Sequence, residues 1–333
     1  MKRVCIVGCG AISGNHAEAL QKTENASLVA VCDINHERAD KLAEKYNIEK
    51  VYYDYAEVLE DTGIDAVHIC TPHYLHTDMA ISALEKGKFV FLEKPVSISN
   101  EQLDRLKETE QKHPGKLAVC FQNRTNPSVV ALKEALTSEE NGAFLGIKAF
   151  LVWHRTKEYY AMDAWRGKWD TEGGGLMINQ AVHTLDLLSW LSGGAKSVKG
   201  TMSTKVLADC IEVEDTAEAI IFLNNGHRGC FYGTNAYSTD SSYNLEVDFE
   251  NVTFRYADNF LYKIEKGKRP EIVADDSMDV VGKSYWGNGH SRLISAFYEN
   301  GNEGMSLSEA EPTFRLLFAF YESASKNGEE VEL

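Results

Sequence analysis

Arg3-Val4-Cys5-Ile6-Val7-Gly8-Cys9-Gly10-Ala11-Ile12-Ser13-Gly14 is the stretch on which the reading of the fold turns. A short apolar run ends in two glycines one residue apart, and helical spacing follows through Leu20. Strand, glycine loop and helix in that order make a cradle for a pyrophosphate. The first glycine permits a tight turn and the second lets the backbone approach the ligand. The N–H groups at the helix start then face the phosphates. A strict third glycine is missing, because Ser13 holds its place and Gly14 follows.

The next segments extend the pattern. Leu28 to Cys32 is a second apolar run, ending at Asp33, about where an acidic residue meets the adenosine ribose hydroxyls. A 2′-phosphate about 4 Å from that carboxylate would be repelled by up to ~4 kcal/mol at an effective dielectric near 20. NAD is therefore expected over NADP, with Arg38 softening the preference. Strands are expected at Ala66–Cys70, Phe89–Leu92 and Leu117–Phe121, with helices at His36–Tyr46, Leu75–Lys86 and Glu101–His113. Such alternation implies a doubly wound parallel sheet with helices on both faces. Ligands of such sheets bind at the carboxyl ends of the strands. Two loops fall there, Thr71-Pro72-His73-Tyr74-Leu75-His76 and Glu93-Lys94-Pro95. Proline holds the residue before it extended, so Lys94 is a poised cation, the alternative being a surface pair with Glu93.

The organisation changes after Gln122-Asn123-Arg124, which divides the chain into domains 1–122 and 123–333. Alternating runs at Ile147–Arg155, Ala217–Leu223, Arg228–Tyr232 and Leu245–Phe249 suit a large, mainly antiparallel open sheet with one covered face. Asn225-Gly226 signals a type I′ hairpin. Gly173-Gly174-Gly175 leads into a buried-looking helix on which Asn179, His183, Asp186 and Trp190 share one stripe. Val182, Leu185, Leu188 and Leu191 cover its other faces. Burying an imidazole, an amide and a carboxylate together is costly unless they are paired or used. Upstream lie Arg155-Thr156-Lys157-Glu158-Tyr159-Tyr160 and Trp165-Arg166-Gly167-Lys168-Trp169. Aromatics there would stack on sugar faces while the cations bind hydroxyls, carboxylates or phosphates, the alternative being a surface loop. Tyr285-Trp286 with His290 is a similar candidate.

Composition bounds the rest. With 333 residues, 44% of them hydrophobic and a net charge of −16, the chain is globular and has no basic field for nucleic acid or anionic membrane. No apolar run nears the roughly 20 residues of a membrane span. Seven cysteines without a CxxC pair argue for a reducing cytoplasm, and no Cys/His group has the spacing of metal ligands.

Taken together, these motifs resemble the glucose–fructose oxidoreductase / inositol dehydrogenase / rhizopine catabolism (Gfo/Idh/MocA) family. The resemblance rests on Gly8-Cys9-Gly10-Ala11-Ile12, on Cys70-Thr71-Pro72 with His76, on Glu93-Lys94-Pro95, and on Gly173 through Asp186. It implies a Rossmann domain followed by a substrate and oligomerisation domain, joined as a homodimer or homotetramer through the C-terminal sheet. It also implies a bound nicotinamide cofactor and a sugar, cyclitol, sugar acid or nucleotide sugar as substrate. Lys94 and His183 are the implied catalytic pair, with Asn179 beside them where many members carry aspartate. Cofactor contacts are expected from Gly8, Gly10, Ala11, Ile12, Asp33, Arg38, Thr71, Pro72, His73, His76, Glu93, Lys94, Gln122, Trp165 and Arg166. Substrate contacts are expected from Lys94, Arg124, Arg155, Tyr160, Asn179, His183, Tyr285 and His290, with Asp186 fixing the imidazole tautomer. No metal is expected. The implied reaction is hydride transfer at a carbinol carbon. Two alternatives share its residues: an NAD-dependent glycosidase working through transient oxidation at C3, and a non-catalytic nucleotide sensor.

Overall fold

The computed structural model describes residues 1–241, 243–276, 288–299 and 304–333. The chain forms two compact units, one of residues 1–122 with 289–311 and one of 123–288 with 312–333. In the first unit β1 (Lys2–Val7), α1 (Ser13–Leu20), β2 (Ala26–Cys32), α2 (His36–Tyr46), β3 (Lys50–Tyr52) and α3 (Tyr55–Glu60) alternate. They are followed by β4 (Ala66–Ile69), α4 (His76–Glu85), β5 (Phe89–Leu92), α5 (Asn100–Lys112) and β6 (Leu117–Val119). The six strands run parallel in the order β3-β2-β1-β4-β5-β6, a Rossmann sheet. β4 is buried along its whole length and β5 nearly so, as expected of strands covered on both faces. Helix starts carry their own caps: Asn35 accepts from the Arg38 N–H, and Ser99 accepts from the Gln102 N–H.

The second unit begins with α6 (Pro127–Ala135), β7 (Phe144–Val152), α7 (Lys157–Ala161), α8 (Trp169–Glu172), α9 (Leu176–Asn179) and α10 (Val182–Ser192). Strands follow: β8 (Ala195–Ser203), β9 (Thr216–Leu223), β10 (Arg228–Thr234), β11 (Asn244–Phe249), β12 (Val252–Ala257), β13 (Phe260–Glu265) and β14 (Glu271–Asp275). With β15 (Val331–Glu332) they make a nine-stranded sheet in the order β14-β13-β12-β11-β7-β10-β9-β8-β15. Every pairing is antiparallel except β10 with β7. Burial alternates along β7, β9, β10 and β11, so Ile147, Ala149 and Phe231 face the core while Lys148, Phe150 and Ile220 face out.

Two local expectations change. Gly226 has φ +86°, but Asn225 is not in the left-handed region, and the Gly226 N–H bonds to the Leu223 carbonyl. The loop is therefore a three-residue type I turn closed by a left-handed glycine, not type I′. The pair with two positive φ values is Asp258 (54°) and Asn259 (64°), directly between β12 and β13. The glycine-triplet helix is also broken. α9 ends at Asn179, the Ala181 N–H reaches back to the Leu176 carbonyl, and α10 starts afresh at Val182.

The second domain does not run uninterrupted over 123–333. Residues 289–311 belong to the first unit, where α11 (Gly289–Glu299) packs on α1 and buries Leu293, Ile294 and Phe297, the last against Phe89 and Phe91 of β5. The Val119 N–H bonds to the Met305 carbonyl, adding hydrogen bonding beyond β6. α12 (Leu307–Ser325) follows. Among the described residues no helix is long and apolar enough to cross a membrane.

Candidate active site

In the first unit the glycine loop lies flat against the end of β4. Gly8 has φ +93°, and a Cβ on it would come within 2.6 Å of the Cys70 carbonyl carbon and oxygen. Gly10 faces open space. No side chain caps α1, although the Ser13 and Asn15 N–H groups already donate to the Gly10 and Ile12 carbonyls. Asp33 uses both oxygens on backbone: one accepts from the Cys9 N–H at 2.7 Å, the other from the exposed Asn35 N–H at 2.8 Å. The carboxylate that the sequence assigns to the ribose thus also braces the loop. A close turn, an open second glycine and an uncapped helix start fit a dinucleotide. Ala11, Ile12 and Arg38 border this loop or begin the next helix, with Arg38 exposed.

The two strand-end loops are tied together from behind. His76 places Nδ1 2.7 Å from the Pro95 carbonyl and Nε2 2.7 Å from the Thr71 carbonyl. Burial lowers its pKa while both carbonyls pull the other way. Both nitrogens face backbone carbonyls, of which a neutral ring bonds one, so His76 acts on the site by bracing this backbone rather than by reaching a ligand. His73 is buried, Thr71 and Pro72 are half-buried, and Lys94 is half-buried beside the loop.

Glu93 likewise points inward. Its Oε1 is 2.9 Å from His16 Nε2 and 3.4 Å from His290 Nε2, and its Oε2 accepts from the Lys94 N–H at 3.2 Å. The network continues from His16 Nδ1 to His68 Nδ1 (2.9 Å) and from His68 Nε2 to the Tyr298 hydroxyl (2.9 Å). A neutral imidazole has one N–H. If His16 donates to the carboxylate, it accepts from His68, which accepts from Tyr298, and every proton is placed. Burial lowers both histidine pKa values, in keeping with neutral rings. The structure therefore moves Glu93 and His290 from the expected ligand face into the interior of the first unit.

His16, Glu93, Cys120 and His290 are all buried, with donor atoms within 4.8 Å of one another. They are metal-binding types, drawn from segments so distant that spacing gave no hint of them. The His16–Glu93 separation is a direct hydrogen bond, whereas two donors bound to one ion at ~2.0–2.1 Å each sit ~3.3 Å apart. Proton sharing is the reading this geometry fits. Gln122 is buried nearby, 3.8 Å from Cys120 Sγ.

In the second unit the glycine triplet is folded around Glu214, a residue the sequence reading passed over. Its carboxylate accepts from the Gly175 N–H (2.9 Å), the Met177 N–H (2.8 Å) and the Tyr321 hydroxyl (2.9 Å). Burial pushes its pKa up to about 7 against those donors. A Cβ on Gly175 would collide with the Glu214 carbonyl oxygen, and one on Gly174 (φ +147°) with the Tyr321 hydroxyl. The triplet is a packing requirement as well as a turn.

The expected polar stripe separates into three groups. His183 is half-buried in the first turn of α10. Asn179, on α9, donates from Nδ2 to Glu172 Oε1 at 2.5 Å. Asp186 is fully buried and takes a bidentate grip from Arg124, Nε at 2.8 Å and Nη2 at 2.6 Å, plus the Thr313 hydroxyl at 2.8 Å. Both Asp186 oxygens are thereby engaged by Arg124, and one of them by Thr313 as well. Arg124 is itself buried, with its guanidinium also over Trp190, which places it in the core rather than on a substrate face.

The aromatic and cationic segment does converge. The Tyr159 hydroxyl accepts from Arg166 Nη1 (2.6 Å) and Gln180 Nε2 (3.2 Å). Arg166 lies over both Tyr159 and Trp165, and Arg155 over Tyr159 and Trp153. Asn235 Nδ2 joins Gln180 Oε1 (2.9 Å) to the buried Tyr160 hydroxyl (3.2 Å). Lys168 is exposed at the start of α8. Tyr285 and Trp286 lie outside the described residues.

Residues 2–121 match the family model described as "Oxidoreductase family, NAD-binding Rossmann fold", and residues 129–255 match the "GFO/IDH/MocA C-terminal domain". This chain belongs to the Gfo/Idh/MocA family. It is similar to myo-inositol 2-dehydrogenase of Thermotoga maritima, 30% identical over 57% of this chain and 55% of that one. It is also similar to scyllo-inositol 2-dehydrogenase (NAD(+)) of Bacillus subtilis, 34% identical over 57% and 54%. The matched region spans about half the length of these curated relatives. Among solved structures, the WlbA dehydrogenase of Bordetella pertussis in complex with NADH and UDP-GlcNAcA superposes with a TM-score of 0.85. It is 27% identical, covering 100% of this chain and 98% of that one.

Proposed function

We propose that the protein is an NAD-dependent oxidoreductase acting at a carbinol carbon of a sugar or sugar derivative that carries an anionic group. The observation that carries the first half is the glycine loop braced by Asp33, with Gly10 open and α1 uncapped. The second half rests on Arg155 and Arg166 flanking Tyr159, an aromatic and hydrogen-bonding surface for a sugar ring on which a substrate carboxylate or phosphate would share the two guanidiniums with Asp240 and Asp163. The full-length likeness to a dehydrogenase crystallised with NADH and UDP-GlcNAcA points the same way.

When bound, NAD supplies the hydride-accepting chemistry. His183 takes the hydroxyl proton as general base and returns it as general acid in the reverse direction. Lys94 donates a hydrogen bond to the oxygen as negative charge builds there. Asn179 orients the hydroxyl that reacts. Gln180 and Asn235 keep Tyr159 and Tyr160 in place beside the two arginines.

A 340 nm absorbance screen of sugar acids, nucleotide sugars, cyclitols and neutral hexoses tests this reading. Net NADH is expected with an anionic substrate, at a kcat/KM for NAD more than ~10-fold above that for NADP, consistent with the carboxylate repulsion. Asp33→Ser is expected to narrow that ratio and raise KM for NAD. A wild-type preference for NADP sinks the cofactor assignment, and glycoside cleavage without net NADH favours the glycosidase.

We place the chain in a reducing cytoplasm, a reading supported by seven cysteines that are all free. A homo-oligomer is proposed through the outer face of the nine-stranded sheet. Phe150 and Ile220 are 38% and 41% exposed there, around the Lys148–Glu246–Arg255 ion pairs. Light scattering after size exclusion is expected to give a dimer or tetramer, and Phe150→Glu with Ile220→Glu a smaller species. A monomeric wild type would overturn it.

A further inference from the structure

We propose that Glu172 is a positioning residue of the reaction, holding the Asn179 amide in one of its two possible orientations. This rests on the reading that Asn179 and His183 serve the reacting hydroxyl. Glu172 ends α8 directly before the left-handed Gly173 and is fully buried. Its Oε2 accepts from the Gly167 N–H and its Oε1 from Asn179 Nδ2, each at 2.5 Å. Burial raises the pKa values of Tyr159, Tyr160 and Tyr321, and the Glu172 charge adds to the rise in each.

An asparagine side chain is nearly symmetric in shape, so its function depends on which end points where. A carboxylate only accepts. Turning the Asn179 amide over would set Oδ1 against Glu172 Oε1, lone pair against lone pair, and leave a buried acceptor without its donor. Glu172 therefore fixes the Nδ2 end, and the oxygen end is presented on the other side as an acceptor for a hydroxyl or N–H proton. Without the carboxylate that penalty for turning over disappears.

The substitutions separate orientation from bulk. In Glu172→Gln the new side-chain carbonyl still accepts from Gly167, while its NH₂ faces residue 179 and invites Asn179 to turn over. Asn179→Asp sets two carboxylates in contact, which must share a proton. The double variant Glu172→Gln/Asn179→Asp restores a donor–acceptor pair, with the amide and the carboxylate exchanged between the two positions. Two measurements decide. In ¹⁵N-asparagine-labelled protein, the Asn179 side-chain NH₂ signal, identified by its loss in Asn179→Asp, is expected to exchange slowly in wild type and faster in Glu172→Gln. With UDP-GlcNAcA and NAD, Glu172→Gln is expected to lower kcat about 10-fold or more with KM for NAD unchanged. Asn179→Asp should lose more, with an added group in its pH–rate profile, and the double variant should return to within about threefold of wild type.

A fast-exchanging wild-type NH₂ overturns the inference, as does a Glu172→Gln enzyme with wild-type kcat. A double variant no better than Asn179→Asp does the same. If wild type does not turn over the probe but its Asn179 NH₂ is protected through Glu172, the substrate reading fails and the orientation by Glu172 stands.

Discussion

Replacing His183 by alanine is expected to lower kcat about 10²–10⁴-fold, the usual worth of a positioned acid/base, while leaving NADH binding by fluorescence unchanged. Three imidazoles of the first unit are committed to structural hydrogen bonds. His16 and His68 share protons with Glu93 and Tyr298, and His76 lies between two backbone carbonyls. His183 is half-buried at the head of a helix whose start is set by the glycine triplet and by the Ala181-to-Leu176 hydrogen bond. A triplet that must pack on Glu214 without Cβ atoms gives His183 a rigid base, as a catalytic geometry requires. Nearly intact turnover in the alanine variant would remove His183 from the mechanism.

The contrast between what was legible in the sequence and what was not has a physical pattern. The Rossmann half announces itself because each of its devices is local: apolar runs, a glycine turn, an acidic residue at a strand end. The parallel first sheet and the mainly antiparallel second sheet follow from the same periodicities, whereas the strand orders do not. What escaped is non-local. Nothing in Gly289–Glu299 says that this helix returns to α1, because an amphipathic helix does not name its partner. Glu172 and Glu214 look like ordinary surface acids until burial is known. The stripe from Asn179 to Asp186 assumed an unbroken helix, and the break at Gln180-Ala181 sent its members to different partners. Asp258-Asn259 was overlooked for Asn225-Gly226, since both dipeptides tolerate positive φ and only the strand register chooses.

Arg124 offers the sharpest test of that distinction. If it bound substrate, Arg124→Met would raise KM and leave stability nearly untouched. The structure argues otherwise, because Arg124 grips the fully buried Asp186 with two hydrogen bonds. Removing one partner of a buried pair leaves a desolvated charge, at a cost of about 3–5 kcal/mol. Arg124→Met is therefore expected to lower the melting temperature by about 10 °C. Arg124→Lys should recover only part of it, since a lysine cannot reproduce the planar fork. The double variant Arg124→Met/Asp186→Leu should regain most of the loss, because neither charge is then buried and a hydrophobic replacement of such a pair is often neutral. Thr313, which donates to Asp186, would lose its acceptor in that variant, so recovery should stop short of wild type. A loss under about 1 kcal/mol in Arg124→Met, with a raised KM for substrate, would return Arg124 to the binding face.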